Sequence, residues 1–505
     1  MARKDSKKSK KRILSETKVN DISTESEKSI DESNGLLKSF TGNRKMVSVF
    51  LFVLSFLVFI PSLGNDFVWD DVTYIQNKAD KLNLSSIKSE LIPLGSTENK
   101  TGGNYYRPVY LATLILDNEI WNTSPLGFHL TNIILHSIST VLLYFLVLIL
   151  LGEFKILGRE SIALITSTLF ALYPLHVESV SFVSARGDIL AAIFFFLSLI
   201  FYIFSYKKLF YLLLSALCFF LSLLSKEVAI ALPLVVISFD LISRRIMSRV
   251  NLVKYLVLSL MTLIYFLMRS KSHTSIVELI NSGSAQISAG FLHLADVILN
   301  TYLFYFIKMV FPYNLNPFID SVPDWGLLGL ILSILLLLAL CIAFFMSVRK
   351  KENLTAFSIL WILATLIPAA VVVILPLALT NYAERFLYIP SAGICVLFAY
   401  IIYESGKRFK LELPSLVLTL VIAVSFAVVT LGAQKVWRNN LSLWERAVST
   451  SPDSPGVKIN YGDALRNSGN PSESLKNYLS AYENRAGLNT RAIITIAHSI
   501  AVAYI

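Results

Sequence analysis

Residues 46–71 read MVSVFLFVLSFLVFIPSLGNDFVWDD: a long apolar run that ends in Asn65-Asp66-Phe67-Val68-Trp69-Asp70-Asp71. A helix needs about 20 mostly apolar residues to cross a bilayer. An adjacent pair of carboxylates at the water-facing mouth of such a helix costs far less than one inside the bilayer, yet it stays beside lipid. A lipid-linked substrate can present its polar head at that depth. The rest of the chain reads as a membrane body that shelters this loop, followed by a small soluble tail.

Composition supports that reading. Of 505 residues, 55 % are hydrophobic and 16 % charged, against about 25 % charged in a soluble protein. Apolar runs recur at spanning length, so the fold class is an all-α polytopic membrane protein. The formal net charge is +11. Much of the basic excess lies in the N-terminal tail and in short loops, where it sets orientation, so no nucleic-acid partner is expected. Cys218, Cys341 and Cys395 all fall within apolar runs, without disulfide or metal-ligand spacing, and read as small buried residues.

Residues 1–45 are rich in Lys, Ser and Glu and poor in aromatic residues. They offer too little apolar surface to offset the entropy of ordering and are expected to form a disordered basic cytoplasmic tail. A cleaved signal peptide is not expected, because the apolar run starts late and lacks a clear small-residue cleavage site. Eleven runs read as spans: 46–63, 128–151, 160–175, 188–206, 209–225, 228–243, 252–268, 326–348, 355–375, 386–403 and 413–433. The stretch 288–311 carries His293, Asp296 and Lys308 and is poorly apolar for a lipid-facing helix. With eleven spans, the loops at 152–159, 207–208, 244–249, 349–351 and 407–410 are all cytoplasmic and all basic, as the positive-inside rule asks. If 288–311 also crossed, the last two would lie outside. It is therefore expected to be a re-entrant or interfacial helix. The N-terminus is then cytoplasmic and the C-terminus outside or lumenal.

The outer loops gather the chemistry. They hold Asp70, Asp71 and Arg107; His176, Glu178, Arg186 and Asp188; Lys226 and Glu227; and Glu384 and Arg385. Exposing one such charge to lipid costs about 2.5–3.5 kcal/mol, so one shared polar cavity is expected. Asp70 or Asp71 suits a general base that takes a proton from an acceptor hydroxyl. The structural alternative is that Asp71 caps the helix starting at Val72 while Asp70 is solvated. Arg107, Arg186, Lys226 and Arg385 suit the stabilisation of a phosphate leaving group. Their alternative is local ion pairing: Arg186 with Asp188 or Glu178, Lys226 with Glu227, Arg385 with Glu384. His176 and Glu178 can act in acid–base work or form a hydrogen-bonded pair at a helix end. His129 and His136 read as packed core histidines. Trp69, Tyr105, Tyr106, Trp121, Trp325 and Tyr388 can stack on a sugar or isoprenoid, or form an aromatic belt at headgroup level. No metal-site pattern of the strength of His-Glu-x-x-His is present, so no metal or other cofactor is expected, although a divalent ion is not ruled out by sequence.

After residue 433 the composition turns polar. Asn460-Tyr461-Gly462-Asp463-Ala464-Leu465 through Ala481 reads as two helices around Gly469-Asn470-Pro471, the pattern of a tetratricopeptide repeat. Residues 434–505 hold about one such unit, and repeats need stacked neighbours. Either more chain follows in the natural protein or this pair packs on the membrane domain.

Seven motifs in order carry a family resemblance: Phe67-Val68-Trp69-Asp70-Asp71; Tyr106-Arg107-Pro108; Ser124-Pro125-Leu126-Gly127-Phe128-His129-Leu130-Thr131-Asn132; Tyr173-Pro174-Leu175-His176-Val177-Glu178-Ser179; Ala185-Arg186-Gly187-Asp188-Ile189-Leu190-Ala191; Leu224-Ser225-Lys226-Glu227; and Ala383-Glu384-Arg385-Phe386-Leu387-Tyr388-Ile389-Pro390-Ser391. Together with Trp437-Arg438 and the repeat-like tail, they resemble the TMTC family of transmembrane, tetratricopeptide-repeat O-mannosyltransferases, of the GT-C glycosyltransferase type. The resemblance implies a GT-C membrane domain over 46–433. It also implies a polyprenyl-phosphate sugar donor, mannose-like, and inverting transfer to a hydroxyl of a protein or lipid acceptor at the outer or lumenal face. Asp70 is the implied base with Asp71 as runner-up, and Arg107 and Arg385 the implied donor contacts. Tyr173 stands where the family often has a second His before the Pro, Ala185 where it often has Gly, and the repeat array is nearly absent. The membrane would be the plasma membrane in a bacterium or the endoplasmic reticulum in a eukaryote.

Two other readings stand beside this one. A non-catalytic membrane scaffold would keep a degenerate transferase body and a protein-binding repeat. A transporter would place its charges near the membrane midplane, within an inverted repeat of broken helices. Here they cluster at one side.

Overall fold

The Leu-, Ile- and Phe-rich runs fold as helices, and the breaks between them fall where the sequence offers proline, glycine or a charge. The computed structural model describes residues 41–85, 106–245, 249–270, 290–323, 325–375, 380–485 and 490–503. Most of the expected disordered tail, Tyr105 and much of the first long loop lie outside these residues. Two compact units are distinguished, Met1–Phe50 and Leu51–Ile505. In the first, Asn43 accepts the Met46 N–H at 3.2 Å where the opening helix begins. Apart from the first turns of that helix, which fall in the first unit, all that follows concerns the second.

Helix α1 (Arg44–Phe59) passes into a 3-10 turn, Ile60–Gly64, at Pro61, which lacks the N–H an α-ladder needs. The short α2 (Asp70–Tyr74) carries the carboxylate pair in its first turn. Then come α3 (Pro108–Trp121), α4 (Pro125–Glu153), α5 (Arg159–Ala171), α6 (Val177–Ser181), α7 (Arg186–Phe204), α8 (Phe210–Ser225), α9 (Leu232–Ile242), α10 (Arg249–Ser270), α11 (Phe291–Val310), α12 (Gly326–Lys350), α13 (Asn353–Ile374), α14 (Tyr388–Arg408) and α15 (Glu412–Gln434). The last four are α16 (Asn440–Thr450), α17 (Pro455–Asn467), α18 (Pro471–Glu483) and α19 (Thr490–Ala503). Among the described residues no strand forms, only an isolated antiparallel bridge between Ile319 and Tyr382.

Among the described residues, eight helical stretches are long and apolar enough to cross a membrane, and nine if α5 and the Pro174–Ser181 stretch, bent by 50°, count as one. The sequence reading expects eleven. The difference lies mainly at α8, only 16 residues long, and at α9, with 11. Lys226 and Glu227 interrupt what hydropathy reads as two full spans, and a 3-10 turn, Glu227–Ala231, fills the break. Helix α11 has 20 residues but is not among the eight.

Burial sorts the helices. The Val183–Phe204 stretch is 78 % buried over its apolar window, whereas Gly326–Lys350 is 11 % buried and Leu413–Trp437 17 %. Helix α7 is therefore interior, and α12 and α15 present apolar faces outward, as lipid-facing helices do. Cys341 on α12 is exposed, unlike Cys218 and Cys395; its helix turns most of its surface outward, which the sequence reading of three buried cysteines misses. Far from the acidic pair in sequence, Asp240 accepts the hydroxyls of Tyr202 (2.5 Å), Tyr206 (2.5 Å) and Tyr255 (2.7 Å), which ties α7, α9 and α10 together.

Beyond α16, α17 and α18 form a helical hairpin. Gly469, at φ +84°, turns the chain between them. Gly462 lets the Tyr478 ring approach so closely that a Cβ there would lie 2.5 Å from it. Tyr478 donates to Asp463 at 2.6 Å, and Ser474 to the Gly462 carbonyl at 2.7 Å.

Candidate active site

The two aspartates of α2 have different surroundings. Asp71 is fully buried. Its carboxylate accepts the Ser184 N–H at 2.7 Å and the Ser184 hydroxyl at 2.5 Å, and lies 3.4 Å from the N–H groups of Val68 and Val183. It makes no side-chain cap at the start of α2. The helix begins two residues earlier than the sequence suggests, at Asp70, and the Asp71 carboxylate reaches across to the turn before α7 instead. Asp70 is half-buried, and among the described residues its carboxylate makes no hydrogen bond. Burial raises its pKa, and the nearby Arg385 guanidinium opposes that rise.

Arg385 stands near Asp70, and a series of charges from loops distant in sequence runs on from it. Arg385 pairs with Glu178, whose carboxylate also accepts the Arg385 backbone N–H at 2.9 Å; its guanidinium further donates to Thr380 at 3.0 Å. Lys226 pairs with Asp188 at 2.5 Å. Glu227 sits between two arginines, Arg107 at 2.8 Å and Arg269 at 2.5 Å. Glu384 takes Lys308 at 2.8 Å and the Asn316 N–H at 3.1 Å. The Phe386 ring lies 5.4 Å from both the Lys226 ammonium and the Arg385 guanidinium. Gly187 permits the close approach: a Cβ there would stand 3.1 Å from the Ser225 carbonyl, beside the Lys226 stem.

None of the sequence-adjacent pairs considered for these residues forms. Neighbours at i,i+1 on a helical turn point apart, so Arg385 turns from Glu384 to Glu178, and Lys226 from Glu227 to Asp188. Burial lowers the Lys226 pKa to about 8, against the pull of Asp188. Burial works to raise the Glu227 carboxyl, but Arg107 and Arg269 outweigh it and hold it at about 2.

Asp70, Arg107, Glu178, Asp188, Lys226, Glu227, Glu384 and Arg385 thus belong to one connected set of ion pairs and close charges. Three of the sequence candidates do not join it: Asp71, engaged by Ser184, Arg186 and His176. Arg186 is fully buried and pairs with Asp117 at 2.5 Å, rather than with Asp188 or Glu178. It also donates to Asn132 at 2.6 Å, the Phe128 carbonyl at 3.0 Å and Thr113 at 3.2 Å. His176 packs in the core: its Nε2 lies 2.8 Å from the Ser391 hydroxyl, and its ring sits 5.3 Å from that of His136. His136 itself meets the Tyr388 hydroxyl at 2.7 Å. Trp69 stacks on Phe182 at 5.6 Å. Sequence reading misses Arg269 and Lys308. Both are cations in the last turns of their helices, α10 and α11. Among the described residues no group of three His, Cys, Asp or Glu side chains is placed to hold a metal ion.

These charges set a pH dependence. If Asp70 must be ionised to act, turnover falls as pH drops through its raised pKa, above the ordinary value of about 3.9. Lys226 loses its charge above about 8, which leaves the site less positive there. Stability moves differently. Burial pushes Asp71 up to about 7, so between there and the ordinary carboxylate range the folded state holds a proton that the unfolded state releases, and acidification stabilises the fold at this group. A pH–rate profile with an acidic limb, recorded beside a thermal melt that does not drop across the same limb, is the expected result. Parallel loss of both would attribute the limb to unfolding.

No family model matches the chain, and neither does any solved structure. Curated relatives do match. The chain is 27 % identical over 443 residues to Protein O-mannosyl-transferase F38B6.6 of Caenorhabditis elegans, covering 85 % of this chain and 61 % of that protein. It is 25 % identical over 497 residues to Protein O-mannosyl-transferase TMTC4 of Mus musculus, covering 84 % and 64 %. A shorter match, 33 % identical over 153 residues, is to Protein O-mannosyl-transferase TMTC1 of Homo sapiens. The chain spans about three fifths of the length of the first two. With its apolar helices and the order of its motifs, this multi-pass membrane protein is a relative of the TMTC protein O-mannosyl-transferases over most of its length.

Proposed function

We propose that the chain is a membrane glycosyltransferase that moves mannose from a polyprenyl-phosphate donor to a hydroxyl of an acceptor protein. Asp70 takes the acceptor proton as the oxygen attacks the anomeric carbon. The bond from that carbon to the phosphate oxygen breaks, and polyprenyl phosphate leaves with the bonding pair. Attack opposite the leaving group inverts the anomeric centre. Arg385, Lys226, Arg107 and Arg269 stabilise the charge that grows on the phosphate. The observation that carries this reading is one carboxylate without a hydrogen-bond partner among the described residues, close to Arg385, which belongs with Lys226 and Arg107 to a series of cations held by Glu178, Asp188 and Glu227. Asp71 is less suited to the base role, because its oxygens are engaged by Ser184 and it is closed to solvent. Arg186 and His176 serve structure. The α17–α18 hairpin is read as a tetratricopeptide unit, and the reaction is assigned to the outer or lumenal face.

The test compares donors. Purified protein in lipid nanodiscs is supplied with radiolabelled mannose either on polyprenyl phosphate or on a nucleoside diphosphate, with a Ser/Thr-rich acceptor protein. Label transferred only from the lipid-linked donor is expected. Transfer from the nucleotide sugar alone would overturn the assignment.

A further inference from the structure

Trp69, the residue before the candidate base, has φ 52° and ψ −117°. Positive φ is costly for a bulky side chain, and such outliers persist where their surroundings over-determine them. Much of the support comes from the far end of the chain. Asn440, the first residue of α16, accepts the Trp69 N–H at 2.8 Å. Trp444, one turn on, meets the Trp69 ring edge-on at 5.4 Å. Just before α16, the Arg438 carbonyl accepts the Asp66 N–H at 2.9 Å, and Trp437 stacks on Phe182 at 5.2 Å, the ring that also stacks on Trp69.

The same helix reaches the opposite wall of the site. Arg446 donates to the Leu315 carbonyl at 3.1 Å and to Asn314 at 2.7 Å. Thr450 donates to the Asn316 side chain at 2.8 Å, and the Asn316 N–H holds Glu384, the residue before Arg385. Asp70 and Arg385 each follow a residue whose position is referenced to α16.

We infer that α16 is a positioning element for the reaction, with Asn440 and Trp444 as positioning residues that fix Asp70 through the backbone of Trp69. The inference rests on the reading of Asp70 as base. The soluble segment is therefore part of the catalytic architecture, and a load on it is transmitted to the base. Misplacing a reacting group by about 1 Å can cost on the order of 10²-fold in rate.

The experiment measures kcat and the donor KM for Asn440→Ala, Asn440→Asp and Asp70→Asn in the full chain, with a thermal melt of each. Asn440→Ala removes the acceptor for the Trp69 N–H and is expected to lower kcat by about tenfold to 10²-fold, with donor KM within about twofold of wild type and the melt little changed. Asn440→Asp keeps an acceptor oxygen and is expected to restore most of kcat. A wild-type kcat in Asn440→Ala beside an inactive Asp70→Asn overturns the positioning role alone. A fully active Asp70→Asn overturns the base assignment on which it rests. If Asn440→Ala proves unstable, Trp444→Leu, which removes the ring that meets Trp69 edge-on, takes its place with the same expected split.

Discussion

Asp70→Asn is expected to lower mannosyl transfer by about 10²–10⁴-fold, the contribution that a positioned general base makes. The substitution is nearly isosteric and leaves folding intact, because among the described residues no hydrogen bond depends on the Asp70 carboxylate. Donor binding should change little, or tighten slightly, since removing a negative charge beside Arg385 favours an anion there. The loss therefore belongs in kcat. Asp71→Asn should behave differently. Its Oδ1 acceptor role toward Ser184 can be kept by the amide oxygen, but an NH₂ would then face the Val68 and Val183 N–H groups. Opposed buried donors cost about 1–3 kcal/mol, so a lower melting temperature with measurable kcat is expected.

Arg186→Leu is expected to destabilise the protein by about 3–5 kcal/mol, the cost of leaving a buried charge without its partner. Asp117 would lose its cation while remaining closed to solvent, keeping only the Thr131 hydroxyl at 2.7 Å. Four elements of packing depend on this one guanidinium: Asp117 and Thr113 on α3, and Phe128 and Asn132 on α4, all tied to the start of α7. The expected result is a sharply reduced yield of monodisperse protein and a lower melting temperature. A well-folded variant that loses only donor binding would return Arg186 to the phosphate-binding set.

Much of this fold is legible in the sequence because the bilayer imposes one simple length rule. Runs such as 326–348 and 413–433 announce helices α12 and α15 with no knowledge of their neighbours. The runs at 209–225 and 228–243 show where that rule fails. The break at Lys226 and Glu227 is visible in the sequence, but a 3-10 turn at Glu227–Ala231 takes the start of the second run, leaving α9 only 11 residues, and α8, which ends at Ser225 as expected, has only 16. In the site, residue type and shared side were enough to nominate Asp70, Glu178, Asp188, Lys226 and Arg385. Their partners were not legible. The Arg385–Glu178 and Lys226–Asp188 pairs span 207 and 38 residues, and such pairings follow from helix packing that sequence periodicity does not encode. Asn440 was hidden for the same reason: it acts on Trp69 across 371 residues. Arg186 shows the converse. It has the residue type of a phosphate ligand and a motif to match, yet its surroundings are all protein.

The most direct test of the central claim is a single-turnover assay with mannosyl-phosphoryl-polyprenol bound in advance to wild type, Asp70→Asn and Asp71→Asn. The account predicts that all three bind the donor, that wild type and Asp71→Asn transfer mannose to the acceptor hydroxyl, and that Asp70→Asn holds the donor without transfer. Transfer by Asp70→Asn at the wild-type rate, or loss of transfer confined to Asp71→Asn, would contradict it.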